Sequence, residues 1–173
     1  MLNPGEYLST LTQAGVTFFT GVPDSLLKEI CACITDTLAP QDHVIAANEG
    51  AAVGLAIGQY LGSGNLPLVY LQNSGLGNIV NPILSLASSE VYGIPMLLMV
   101  GWRGEPGKTD EPQHVHQGRV MLPMLEAMDI PVVLLSADPD EAAVQTREAA
   151  NRAHNLQGPV ALIVRKGTFG GYA

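Results

Sequence analysis

Gly21-Val22-Pro23-Asp24-Ser25, Asn48-Glu49-Gly50 and Gln72-Asn73-Ser74-Gly75-Leu76-Gly77-Asn78 decide how this chain is read. Each of the three stretches lies where an apolar run stops and a helix-like stretch begins. In an open α/β sheet such strand-to-helix turns line up along one edge, and ligands bind there. Three polar turns on one edge make a site, and two of them carry a carboxylate, Asp24 and Glu49.

Working outward from these turns, strands and helices alternate along the whole chain. Asn3 to Ala14 has Leu8, Leu11 and Ala14 at helical spacing. Val16 to Thr20 is a β-branched and aromatic strand, and Asp24 is placed to cap a helix running to about Leu38. A short strand is expected at His43 to Ala47 and an Ala- and Gly-rich helix at Glu49 to Leu61, followed by a strand at Leu66 to Leu71. A helix from Gly77 to Ala87 is interrupted near Pro82. Ile94 to Val100 is apolar throughout, as expected of a central parallel strand buried on both faces. Trp102 to Gln117 mixes Gly, Pro and charge without a period and reads as a long loop. Val120 to Met128 (helix), Val132 to Leu135 (strand), Pro139 to Asn155 (helix) and Val160 to Val164 (strand) complete the series. Six apolar strands with helices between them predict one doubly wound α/β domain over 1–173, its six-stranded parallel sheet covered on both faces. The tail after Lys166 could also be the start of a linker.

The 173 residues suit one domain with a real core. Hydrophobic residues make up 47% and charged ones 14%, with mean hydropathy +0.22. That sparse charge means either that much of the chain is interior or, the favoured reading, that part of its surface is covered by another subunit. A formal net charge of −8 without a Lys/Arg stripe argues against nucleic acid. It does not exclude an anionic substrate, since a few local cations and amides suffice. No run is long and apolar enough for a membrane span, and the N-terminus lacks the features of a signal peptide, so the cytoplasm is expected. Cys31 and Cys33, two apart on a predicted helix, point different ways and are expected to be reduced and buried.

Two motifs fail on inspection. Gly75-Leu76-Gly77 lacks the third glycine of a dinucleotide fingerprint, because Val80 stands there. Gly107-Lys108-Thr109 ends like a P-loop, but the glycine that pattern needs at position 102 is Trp102, and Pro112 interrupts any following helix. Glu49 by itself could be a first-turn carboxylate favoured by the helix dipole, and Asp24 a plain N-cap. Arg103 could be a surface partner of Glu105 or Asp110, or a guanidinium fork for an anion. His114 and His116 sit in the long loop, where a histidine is either solvated or a proton relay near neutral pH. Nothing beside them completes a zinc set.

The three turns resemble the pyrimidine-binding half of the thiamine diphosphate-dependent 2-oxoacid decarboxylases. Within that family the phosphonopyruvate decarboxylase branch is nearest and the sulfopyruvate decarboxylase branch next. The likeness continues through Leu97-Leu98-Met99-Val100-Gly101-Trp102-Arg103-Gly104-Glu105-Pro106-Gly107, then Asp110-Glu111-Pro112-Gln113-His114, and ends at Val164-Arg165-Lys166-Gly167-Thr168-Phe169. The resemblance implies that Glu49 contacts the cofactor's pyrimidine ring nitrogen and shares a proton with it. It implies that Asp24 moves protons in the active site, and that His114 is a substrate-facing acid or hydrogen-bond donor. Pro23, Asn73, Ser74 and Gly75 would lie around the cofactor. Ser25, Gln72, Arg103, Gln113 and His116 would face the substrate, although Val115 separates two histidines that are adjacent in some relatives.

The family anchors the diphosphate and its Mg2+ through a Gly-Asp-Gly segment and an Asn-containing stretch. No Gly-Asp-Gly occurs in this sequence, so no metal ligand is assigned to it. The implied cofactor is thiamine diphosphate with Mg2+ held mainly by another chain. The chain is then a subunit paired with a diphosphate-binding β subunit in a hetero-oligomer, with self-association too, or a domain cut from a longer polypeptide. A non-catalytic scaffold and a nucleotide-binding domain are the readings from other classes.

Overall fold

The computed structural model describes residues 1–172. Six strands form one parallel sheet in the order β2-β1-β3-β4-β6-β5. They are β1 (Val16–Gly21), β2 (His43–Ile45), β3 (Leu66–Gln72), β4 (Met96–Gly101), β5 (Val132–Leu134) and β6 (Pro159–Val164). The helices are α1 (Pro4–Gln13), α2 (Lys28–Thr37), α3 (Glu49–Ser63), α4 (Leu76–Pro82), α5 (Pro112–Ala127) and α6 (Pro139–Leu156).

The order of the strands explains which face each helix covers. The steps β1→β2 and β5→β6 run one way across the sheet, and their helices α2 and α6 join α1 on one face. The steps β2→β3, β3→β4 and β4→β5 run the other way and put α3, α4 and α5 on the opposite face. This is what right-handed crossovers require. The central strands alternate between the two cores. Leu68, Tyr70, Leu97 and Met99 meet α1, α2 and α6, whereas Val69, Leu71, Leu98 and Val100 meet the other layer. Every residue of β4 and β6 is buried, as expected for strands covered on both sides.

Local chemistry sets the helix starts. Asn48 caps α3, its side chain accepting from the amide of Ala51 at 2.9 Å. The helix ends at Gly64, whose φ of 73° is the left-handed turn that glycine favours. α2 begins at Lys28 with Leu27 at the N-cap, so Asp24 is not the cap that the sequence predicts; a bend over residues 25–27 separates it from the helix. α5 begins at Pro112, which corrects the expected loop from Trp102 to Gln117. Pro112 starts the helix instead of interrupting it, because a first-turn residue has no partner for an N–H and proline's φ is already helical. β2 ends at Ile45, two residues early. After Pro82 the α4 ladder widens into one π turn, Ile83–Ala87.

Cys31 and Cys33 are free and buried on α2, and burial pushes the Cys31 thiol up to about 12. The tail after β6 packs on its own domain. Leu2 bridges to Phe169, the rings of Tyr7 and Phe169 meet edge to face at 5.4 Å, and the amide of Tyr172 donates to Glu29 at 2.8 Å. Among the described residues no helix is long and apolar enough to cross a membrane.

Candidate active site at the carboxyl edge of the sheet

The loops leaving β1, β2, β3, β4 and β6 meet at one edge, and two clusters form there. The first is built on Glu49. As the opening residue of α3 it stands at the positive end of a helix dipole. Its Oε2 accepts from Asn78 Nδ2 at 2.7 Å, and its carboxylate lies directly over Gly75. Any side chain at Gly75 would occupy the place of that carboxylate. The next residue, Gly50, is held to glycine for a similar reason: a Cβ there would press on the carbonyl of Asn78. Pro82 has no N–H for that carbonyl, four residues back, so the starts of α3 and α4 can close on each other there. Glu49 remains half-buried, tied on one oxygen.

The second cluster is built on Asp24, which is 6% exposed. Neither carboxylate oxygen has a well-formed hydrogen bond. The side chain rests on the backbone of Gly101 at the end of β4, in space that only glycine leaves open. Burial pushes this carboxyl above its ordinary value. The amides of Leu26 and Leu27 and the positive Arg103 pull the other way without overcoming it. A buried carboxyl that holds its proton more tightly than usual is suited to passing one at an active site.

Arg103 does not offer a free fork. Its Nε donates to Asp110 Oδ2 at 2.9 Å and its Nη2 to Oδ1 at 2.6 Å, a bidentate pair. Asp110 also accepts from the amides of Gly104 and Glu111, and the Arg103 guanidinium holds its carboxyl well below the usual carboxylate range. The pair therefore fixes the 103–111 loop, and only Nη1 reaches the site, where it donates to Ser25 Oγ at 2.8 Å. An arginine can only donate, so the Ser25 hydroxyl proton stays free to face a ligand.

Asn73 is buried, and both ends of its carboxamide meet the backbone of Arg103. Its Nδ2 donates to the carbonyl at 2.8 Å, and its Oδ1 accepts from the amide at 3.1 Å. The turn after β3 is thereby clamped to the loop after β4, joining the two clusters. Gln72 donates to Ser74 Oγ at 2.6 Å, and Ser74 is exposed. His114 is half-buried on the first turn of α5, its carbonyl packed on Gly104 and its Nδ1 buried without a partner. Pro23 and Gln113 are exposed, with no side-chain hydrogen bond among the described residues. His116 is exposed and its Nδ1 stands 3.0 Å from Arg119 Nη2, turned along its own helix. Asn78 is the site residue to which the sequence assigns no role. Its one signal there is position: it ends the glycine-rich turn that faces the start of α3.

These residues fit the pyrimidine half of a thiamine cofactor. A carboxylate is held open over a glycine, and an orphaned carboxyl and an orphaned imidazole nitrogen stand on the same edge. Among the described residues, no three His, Cys, Asp or Glu stand together where they could hold a metal ion.

The sequence and the fold are similar to those of known proteins. A family model described as thiamine pyrophosphate enzyme, N-terminal TPP binding domain, matches residues 6–124. The chain is 37% identical over 153 residues to a phosphonopyruvate decarboxylase of Streptomyces viridochromogenes, covering 88% of this chain and 37% of that one. It is 38% identical over 140 residues to that of Streptomyces hygroscopicus, covering 81% and 34%. It thus spans only about a third of these relatives' length. Against the sulfopyruvate decarboxylase subunit alpha of Methanococcus maripaludis it is 33% identical over 154 residues, covering 89% of each chain. Among solved structures, 2-oxoglutarate:ferredoxin oxidoreductase from Magnetococcus marinus matches with a TM-score of 0.67 at 20% identity, over 96% of this chain and 29% of that one. The 4-hydroxybenzoylformate decarboxylase of Rhodococcus jostii matches with 0.65 at 22%, over 99% and 32%. At those identities the likeness concerns the fold alone.

Proposed function

This chain belongs to the thiamine pyrophosphate enzymes as their N-terminal TPP binding domain, and we propose on that footing that it is the pyrimidine-binding half of a 2-oxoacid decarboxylase. The reaction is the conversion of 3-phosphonopyruvate to phosphonoacetaldehyde and carbon dioxide in phosphonate biosynthesis, a carboxy-lyase step in the cytoplasm. The observation that carries this reading is Glu49, held over Gly75 by Asn78 on the same sheet edge as the buried Asp24.

Thiamine diphosphate, when bound, supplies the electron sink that lets carbon dioxide leave a 2-oxoacid. Glu49 orients the pyrimidine ring and holds a proton at its ring nitrogen. Asp24, with His114 beside the Gly104 loop, moves the proton that the product needs. Pro23 and the Asn73-Ser74-Gly75 turn line the ring, the last through its backbone. Gln72, Gln113 and Ser25 face the substrate, His116 joins them on turning from Arg119, and Arg103 acts there through Ser25 and the loop it fixes.

The diphosphate and Mg2+ are assigned to a β chain or a second half of the same polypeptide. The outer side of α3 supports close docking beside Glu49. Gly54, Gly58 and Gly62 repeat every fourth residue with open space above them, next to the exposed Leu55 and Leu61. The same surface suits self-association.

A second reading, sulfopyruvate decarboxylase, is favoured by the even coverage of the alpha subunit from Methanococcus maripaludis. Steady-state rates of the assembled enzyme on both substrates separate the two. Preference for phosphonopyruvate in kcat/KM is expected, and preference for sulfopyruvate would replace the proposed substrate.

A further inference from the structure

Beside Ser25 and Arg103, on the α2 side of the edge, lies a cleft of about 350 Å³. Four of the chain's eight Lys and Arg residues line it: Lys28, Arg103, Lys108 and Lys166. Two of them are neutralised close by, Lys28 by Glu29 at 3.2 Å and Arg103 by Asp110. Lys108 and Lys166 have no ion-pair partner among the described residues. The three carboxylates that also line the cleft, Glu29, Glu105 and Asp110, lie against Lys28, Arg165 and Arg103, so Lys108 and Lys166 are the charges left there without a counter-ion among the described residues.

The backbone that carries them is built alike on both sides. Glu105-Pro106-Gly107-Lys108 closes with the Lys108 amide donating to the Glu105 carbonyl at 3.0 Å, and Gly107 has a φ of 81°. Arg165-Lys166-Gly167-Thr168 closes with the Thr168 amide donating to the Arg165 carbonyl at 3.1 Å, and Gly167 has a φ of 85°. Both have the hydrogen bond and third-position glycine of a type II turn, and the first has proline at its favoured second position. The first residues of the two turns, Glu105 and Arg165, approach to 4.0 Å. Leu2 pins the end of the second turn. Its amide donates to the Thr168 carbonyl at 2.8 Å, and its carbonyl accepts from the Gly170 amide at 2.9 Å. Trp102 and Phe169 add apolar wall, and Ser25 brings its free hydroxyl proton.

We propose that this cleft is an anion subsite in which Lys108 and Lys166, with Ser25, hold the phosphonate or sulfonate end of the substrate. The proposal rests on the decarboxylase reading for the identity of that anion. It makes the two lysines, and not the guanidinium of Arg103, the residues that select an acid group at the end of the substrate away from the 2-oxo carbon. Lysine suits the task as a point charge on a long stem that needs no fixed fork.

The full chain, without cofactor or partner, is titrated with phosphonoacetate and with sulfoacetate, and the fluorescence of Trp102, its single tryptophan, reports on the cleft. Saturable binding is expected, and it should be about tenfold weaker in Lys108→Gln/Lys166→Gln. Arg147→Gln, on the exposed side of α6, controls for a general loss of charge. The tighter of the two probes identifies the acid group. Absence of saturable binding, or equal binding by the double variant, overturns the subsite. Because no turnover is read, lysine-dependent binding in a chain whose assembled form is inactive on phosphonopyruvate would support the cleft while sinking the reaction. An active enzyme whose KM ignores both lysines would overturn the cleft and leave the reaction standing.

Discussion

Glu49→Gln is expected to lower turnover of the assembled enzyme by about 10³-fold, the scale of a lost proton-transfer group. The fold should be unaffected. A glutamine oxygen can still accept from Asn78, and the carboxamide fits the same space over Gly75. What changes is that an amide cannot share a proton with a ring nitrogen as a carboxyl does. Unfolding midpoint and partner binding should therefore match the parent while kcat collapses. A fully active Glu49→Gln enzyme would remove the reason for placing a cofactor's pyrimidine ring at this edge.

Asp24→Asn is expected to move activity and stability in opposite directions. Burial raises the Asp24 carboxyl above its ordinary value of 3.8. Between that value and the raised one, the folded chain keeps a proton that the unfolded chain has lost. Stability therefore falls as pH rises through this window, the reverse of the usual salt-bridged aspartate. Above the window the folded state carries an ionised, buried carboxylate with no well-formed hydrogen bond among the described residues. Asparagine has no charge to bury, so the variant should be more stable at pH 7, by about 1 kcal/mol. The gain should vanish below the ordinary carboxylate value, where the wild-type side chain is neutral in both states. Turnover should fall by about 10²-fold through loss of the proton carrier. Urea unfolding at pH 7 and at about pH 3.5, just below the ordinary carboxylate range, with parallel rates tests this. A variant less stable than wild type at pH 7 would show that the buried carboxylate is satisfied after all.

Much of the fold is legible in the chain because it rests on local pattern. The uninterrupted apolar runs at Met96–Gly101 and Pro159–Val164 announce strands buried on both faces. Glu49 announces a helix start with a carboxylate in its first turn. The start of α5 is hidden because Pro112 reads equally as a breaker and as a first residue, and only the packing of Gly118, Met121 and Leu125 decides. Asp24 misleads for a similar reason: an aspartate before a helix is an N-cap unless tertiary contact draws it elsewhere, here onto Gly101 across the sheet edge. The partners of Arg103 and Asn73 lie out of reach of sequence as well. The guanidinium meets Asp110 and Ser25, and Asn73 clamps a backbone thirty residues away. In the sequence Lys108 stands out only within a failed P-loop. Its turn comes into one cleft with Lys166 only once β4 and β6 are neighbours.

On the proposed reading this chain supplies the pyrimidine side of a decarboxylase site and acts together with a diphosphate-binding half. The most direct measurement is phosphonoacetaldehyde formed from phosphonopyruvate with thiamine diphosphate and Mg2+, by this chain alone and by this chain assembled with such a half. Product from the assembly and none from the chain alone is the predicted result. No product from an assembly verified as stable, or full activity from the chain alone, would contradict it.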